Sequence, residues 1–221
     1  FLVALALESK HVNDYVGGPG GFDGAYSYFG ATGFTQASNP SSWKGLVALA
    51  SSKGGLFVPC VAPGYDDLRV RPWNGANSRG REAGAYYDRS WRAAIESGAA
   101  RVAVTSFNEW HEGTQIETAA AAFTPDRPGV TTYLAYPSPE FYLTKTAAWV
   151  EQFVAARRRA GVGEGLFLSI YLSDYKGCPP NHLRSVSKDF LISLPYLPYM
   201  YIDRDVTTAA RARATRSDSL S

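Results

Sequence analysis

A chain of 221 residues that is 45% hydrophobic and 14% aromatic can bury one substantial core, which excludes the disordered and fibrous classes. Its 22 basic and 20 acidic side chains leave a formal net charge of +2, too weak a field to recruit nucleic acid or an anionic membrane surface, so a neutral substrate is expected. Fourteen tyrosines and five tryptophans exceed what packing needs, and flat rings with a polar edge also suit sugar faces.

In chain order, Phe1–Leu7 is an apolar run too short to span a bilayer and without the basic flank and cleavage site of a signal peptide, so it reads as a buried strand. There is no starting Met, and the chain is expected to begin inside a longer product whose targeting segment lies upstream. A helix is predicted over Ser9–Tyr15, and Gly17-Gly-Pro-Gly-Gly21 reads as a turn. Strands are then predicted over Phe22–Phe29, Leu56–Ala62 and Arg101–Phe107, with helices over Pro40–Ser52, Ala85–Ser97 and Pro139–Arg159. In the last helix Tyr142, Thr146, Trp149, Phe153 and Arg157 follow three-to-four spacing, which predicts one buried face.

This β-α alternation, repeated four times, predicts an α/β fold with a parallel sheet, either doubly wound or closed into a barrel. A complete (β/α)8 barrel takes about 250 residues, so four units amount to half of one. After Gly161 prolines, clustered tyrosines and an Ala-, Arg-, Ser- and Thr-rich end replace the rhythm. Residues 1–160 are therefore expected to form the barrel half and 161–221 an irregular tail, with Arg204–Ser221 as a solvated segment. Cys60 and Cys178 lie too far apart in sequence to imply a disulfide framework or a metal knuckle.

The run Val102-Ala-Val-Thr-Ser-Phe107 ends in Asn108-Glu-Trp-His-Glu-Gly113, where a buried strand would leave the core. Sites in parallel α/β folds are built at that carboxyl edge. Glu109 and Glu112, three apart on a turn, project to one side. Close carboxylates suit a retaining glycosidase, whose acid/base pair lies about 5 to 5.5 Å apart, and crowding would raise one pKa above the other. The plainer reading is a surface loop with solvated carboxylates; Asn108, Trp110 and His111 around the pair count against it. Pro63-Gly-Tyr-Asp-Asp67 with Arg71-Pro-Trp-Asn74 follows another predicted strand and offers a fork of donors, a stacking plane and an amide, a set suited to hydroxyl-rich ligands. On these residues alone, a packed loop with one Asp-Arg ion pair is an equal alternative. Tyr28, near the end of a third strand, could bring its hydroxyl to the same mouth.

Other chemistries fit less well. His111-Glu112 begins like a zincin helix, but position 115 is Gln and the chain has only His11, His111 and His182. No Gly-x-Ser-x-Gly elbow is present, and the glycine-rich run precedes a strand and contains Pro19, unlike a dinucleotide or phosphate loop. Neither metal nor cofactor is expected.

Taken together, Phe22–Phe29, Pro63–Asp67 with Arg71–Asn74, and Ser106–Glu117 resemble, in the same order, the endo-α-1,2-mannosidases of glycoside hydrolase family 99, over roughly residues 1–159. The resemblance implies a (β/α)8 TIM barrel of which this chain holds the C-terminal half, and a retaining, metal-free cleavage of glucosylated high-mannose N-glycans. It implies that Glu109 deprotonates the 2-hydroxyl of the reacting mannose to give a 1,2-anhydro sugar, and that Glu112 is the general acid that later activates water. Tyr28, Arg71 and Asn74 match residues expected to line the sugar subsites, and His111 is counted with them as a substrate contact. A Golgi or secretory-pathway setting is implied, with membrane attachment only through an N-terminal anchor upstream of Phe1. Residues 161–221 resemble nothing in the family. The alternatives are a WbsX-like glycosyltransferase, which carries a similar Asn-Glu-Trp-x-Glu-Gly stretch, and an inactive glycan-binding remnant.

Overall fold

The computed structural model describes residues 1–119, 136–161, 168–171 and 199–202. Strands β1 (Val3–Leu5), β2 (Gly24–Tyr26) and β3 (Leu56–Val58) pair in parallel in that order, with Val3 opposite Gly24 and Gly24 opposite Leu56. Pro59 then interrupts the ladder, because a proline has no N–H to donate. The chain resumes as β4 (Cys60–Val61), and the Cys60 N–H bonds the Ser27 side chain instead of a backbone carbonyl. Beyond Pro59 pairing continues on the other side, in parallel with β5 (Val102–Val104), through Ala103 N–H to the Pro59 carbonyl and Thr105 N–H to that of Val61. The expected strand over Leu56–Ala62 is thus two pieces that carry the sheet from one neighbour to the next.

Helices α1 (Ser9–Tyr15), α2 (Trp43–Ser52), α3 (Ala85–Glu96) and α4 (Phe141–Arg159) occupy the predicted positions, α2 preceded by a short 3-10 turn at Pro40–Ser42. The glycine-rich run is a turn, as predicted: a 3-10 segment at Gly18–Gly20, closed by a parallel bridge between Val16 and Phe22. Its Gly55 neighbour must lack a side chain, since a Cβ there would lie 2.3 Å from Val16 Cγ1. The strands from β1 to β5 thus give an α/β fold in which parallel strands follow one another in sequence order, β1-β2-β3 and then β4-β5.

The core lies between sheet and helices, around Val12, Leu46, Phe57, Val61, Val102, Val104 and Ile116. On α4 the spacing holds: Tyr142, Thr146, Trp149 and Phe153 are buried, while Arg157–Arg159 end the helix where cations suit its dipole. Trp149 stacks parallel to Trp91 of α3, with ring centroids 6.4 Å apart, and Asp88 accepts hydrogen bonds from Lys145 and Trp149 across the same interface. The Tyr87 hydroxyl, fully buried, meets Thr146 Oγ1 at 3.0 Å. Tyr87→Phe is expected to lower stability by about 1 kcal/mol, the net worth of one buried hydrogen bond, readable as a lower urea midpoint with an unchanged slope.

Two further strands, β6 (Leu168–Tyr171) and β7 (Tyr199–Ile202), fall within the stretch expected to be irregular. β6 extends the sheet in parallel beside β5, and β7 pairs antiparallel with β6. Cys178 and Arg204–Ser221 lie outside the described residues. Among the described residues no helix is long and apolar enough to cross a membrane.

Candidate active site

Three loops leave the carboxyl ends of β2, β4 and β5 and meet. Thr105, just past β5, ties the strand ends together: its hydroxyl donates to the Tyr28 carbonyl at 2.7 Å and contacts Cys60 Sγ at 2.7 Å. Since the Thr105 proton goes to Tyr28, the thiol is the donor to Thr105. Burial pushes its pKa up to about 12, which keeps that proton in place. Cys60 is therefore a structural thiol.

The segment from Ser106 to Gln115 is a closed loop. Ser106 Oγ accepts the Glu109 N–H at 2.9 Å and meets Thr114 Oγ1 at 2.8 Å, and the Ser106 N–H donates to the Thr114 carbonyl. Thr114 N–H in turn donates to the Glu109 carbonyl. Glu109 Oε1 accepts the His111 backbone N–H at 3.0 Å, which fixes the direction of that carboxylate. Trp110 Nε1 donates to Glu117, so the indole is tied back into the loop.

Gly113 closes the turn with φ of 63°, and a Cβ there would lie 2.8 Å from the Asp66 carbonyl oxygen. Next to it the Asp66 N–H donates to the Glu112 carbonyl at 2.8 Å, joining the β4 and β5 loops through backbone. Gly113→Ala is expected to lower stability by about 1–2 kcal/mol from the left-handed backbone alone, seen as a lower thermal midpoint. Arg81, almost wholly buried, pins the far side, its Nη2 donating to the carbonyls of Gly113 and Gln115 at 2.9 and 2.8 Å. Its guanidinium lies over the Tyr142 and Tyr136 rings, 4.6 and 4.9 Å from their centroids.

On this frame Glu112 is one-fifth exposed, with Tyr28 Oη 3.4 Å from its Oε2 and Arg71 Nη1 3.8 Å from its Oε1. Burial raises its pKa above the ordinary carboxylate value, and the Glu109 charge adds to the rise; Arg71 and the Tyr28 hydrogen bond pull the other way and do not cancel it. Glu112 is thus an acid that keeps its proton to higher pH than a surface glutamate does.

Of the residues read from sequence, Glu109, Glu112, Tyr28 and Arg71 converge. Asn74 lies behind Arg71: its amide donates to both Asp67 oxygens at 3.0 and 2.9 Å, and its Oδ1 accepts from Asn77. His111 contributes through its backbone N–H to Glu109. The Asp-Arg ion pair of the packed-loop reading is present, since Arg71 pairs with Asp67 at 2.9 Å, and the same guanidinium also faces Glu112. Trp73, two residues after Arg71 in the same loop, is 80% exposed, an open ring face. Sequence reasoning named Asp67 and Tyr65 within the Pro63–Asp67 cluster, with an Asp-Arg pair as one reading, but gave neither a part in the site, and it did not single out Arg81. The Asp67-to-Arg71 spacing of four was the available signal for the first; Arg81 makes its contacts more than thirty residues away and left none.

The family model for glycosyl hydrolase family 99 matches residues 1–155. A mouse glycoprotein endo-alpha-1,2-mannosidase is 43% identical over 157 residues, covering 70% of this chain and 33% of the relative, and a zebrafish glycoprotein endo-alpha-1,2-mannosidase-like protein is 43% identical over 153 residues. The solved structure of the family 99 endo-alpha-mannosidase of Bacteroides thetaiotaomicron superposes with a TM-score of 0.64 at 46% identity, over 70% of this chain and 44% of that one. The chain spans about a third of the length of the mouse relative. From Phe1 to Ala155 the chain belongs to glycosyl hydrolase family 99.

Proposed function

We propose that this chain carries the acid/base machinery of a retaining endo-α-1,2-mannosidase that cleaves glucosylated high-mannose N-glycans. The observation that carries the reading is Glu112: a carboxyl with a raised pKa, beside a second carboxylate, at the carboxyl edge of a parallel sheet. Glu109, oriented by the His111 N–H, takes the proton of the mannose 2-hydroxyl, and that oxygen attacks the anomeric carbon to close a 1,2-anhydro ring. Glu112 gives its proton to the departing glycosidic oxygen. It then receives a proton from the water that opens the anhydro ring at the anomeric carbon, and Glu109 returns its proton to the 2-oxygen. Two inversions leave net retention.

Tyr28 and Arg71 flank Glu112 where sugar hydroxyls would lie, and the open face of Trp73 suits stacking on a neighbouring ring. A sheet that advances strand by strand supports one wall of a (β/α)8 barrel, its C-terminal half, and the family match over residues 1–155 supports a boundary of that half near residue 160, beyond which β6 still pairs with β5. A glucosylated high-mannose substrate supports a secretory-pathway or Golgi setting for the protein.

Incubating the chain with a glucosylated high-mannose glycan tests the reading. Release of a glucosyl-mannose disaccharide or longer saccharide, α-configured when first formed by NMR, is the expected result. Glycan binding without release would make the chain a binding remnant instead.

A further inference from the structure

The least exposed charged group near the pair is Asp67, whose side chain has no solvent exposure. It gathers three donors: Tyr65 Oη at 3.0 Å, Arg71 Nη1 at 2.9 Å and the Asn74 amide at 2.9 and 3.0 Å. Burial by itself would raise its pKa, yet the hydrogen bonds from Arg71, Asn74 and Tyr65 outweigh burial and hold it below the ordinary value, so it stays ionised. Tyr65 is pushed up by burial and by the charges of Glu112 and Asp67, and remains a donor. Arg71 therefore stands between two carboxylates. Its Nη1 is 2.9 Å from Asp67 and 3.8 Å from Glu112, at hydrogen-bond length to the first only.

We propose that Asp67 is a positioning residue: it holds Arg71 on its own carboxylate and so keeps the guanidinium from closing on Glu112, leaving Glu112 able to carry the proton it donates. This rests on the assignment of Glu112 as the acid. Among the described residues the charged and titratable groups facing Glu112 are Glu109 from its own loop, Asp67, Arg71 and Tyr65 from the β4 loop, and Tyr28 from the end of β2. Of these only Arg71 is a cation, and Asp67 sets where its charge is spent. Without the Asp67 charge the carboxyl left beside the guanidinium among the described residues is Glu112, and a guanidinium moving from 3.8 Å to hydrogen-bond contact favours its ionised form.

The test is a titration of the chain with 13C-labelled glutamate side-chain carboxyls, followed by NMR. The Glu112 signal is identified by its loss in Glu112→Gln. Asp67→Asn is expected to lower the Glu112 midpoint by about one pH unit, the low end of the effect of a cation in contact with a carboxylate. Arg71→Gln should raise it, and adding Asp67→Asn to Arg71→Gln should lower it much less than Asp67→Asn does alone. An unmoved midpoint in Asp67→Asn overturns the proposal, as does an equal shift with and without Arg71. Should Asp67→Asn not fold, Arg71→Gln decides: a midpoint that fails to rise means that the Arg71 charge does not reach Glu112. The alkaline limb of the pH–rate profile separates the two layers. If the midpoint falls and the limb stays, Asp67 does govern Glu112, but Glu112 is not the acid.

Discussion

Glu112→Gln will lower kcat/KM on an unactivated mannoside by about 10²- to 10⁴-fold, the usual worth of a positioned general acid, and will lower it far less on an aryl mannoside with an acidic phenol as leaving group. An acid is needed in proportion to the basicity of the departing oxygen. A sugar alkoxide is a poor leaving group and a nitrophenolate a good one, so the loss tracks the leaving group. Glutamine keeps the volume and can still accept from Tyr28, which separates loss of the proton from loss of packing. A uniform loss on both substrates would instead point to a damaged pocket.

Glu109→Gln has the opposite signature. Its carboxylate acts on the attacking oxygen, so removing it should lower kcat/KM by a similar factor of about 10² to 10⁴ on good and poor leaving groups alike. The His111 N–H has an amide oxygen to bond in the variant, which keeps the turn closed. The double variant should lose much less than the product of the two single losses, because base and acid act in one concerted displacement. Thermal midpoints of both variants close to the parent would confirm that chemistry alone was removed.

How much of this was legible beforehand depends on the range of the interaction involved. The four helices and the strand positions follow from local apolar runs and spacing, and α4 buries Tyr142, Thr146, Trp149 and Phe153 of its three-to-four pattern, with Arg157 only partly covered. The strands came out shorter than their runs: Phe22–Phe29 yields only Gly24–Tyr26, because Ser27 turns its side chain to Cys60 and Tyr28 is already leaving for the site. Leu56–Ala62 splits at Pro59 for want of a donor. The strands at Leu168–Tyr171 and Tyr199–Ile202 were hidden by their proline- and serine-rich surroundings, which dominate any compositional reading.

At the site, Glu109, Glu112, Tyr28 and Arg71 were visible as polar residues at strand ends, where a parallel sheet delivers them to one edge. Their supports were not. Asp67 matters because three donors from its own loop converge on it, and Arg81 because its guanidinium reaches two carbonyls in the loop after β5. The spacing of four from Asp67 to Arg71 signals one of those donors only, and the reach of Arg81 is not written in spacing at all. Asn74 shows the converse: an amide suited to a sugar hydroxyl is engaged by Asp67 instead.

The most direct test of the divided roles of Glu109 and Glu112 is the pH dependence of kcat/KM on an unactivated glucosylated mannan fragment. Activity requires a deprotonated base and a protonated acid, so the profile is a bell. Because burial and the Glu109 charge raise the Glu112 pKa, the alkaline limb should fall at a pH above the ordinary glutamate range, and that limb should vanish in Glu112→Gln while the acidic limb remains. An alkaline limb that persists unchanged in Glu112→Gln would show that another group supplies the proton and would contradict the assignment.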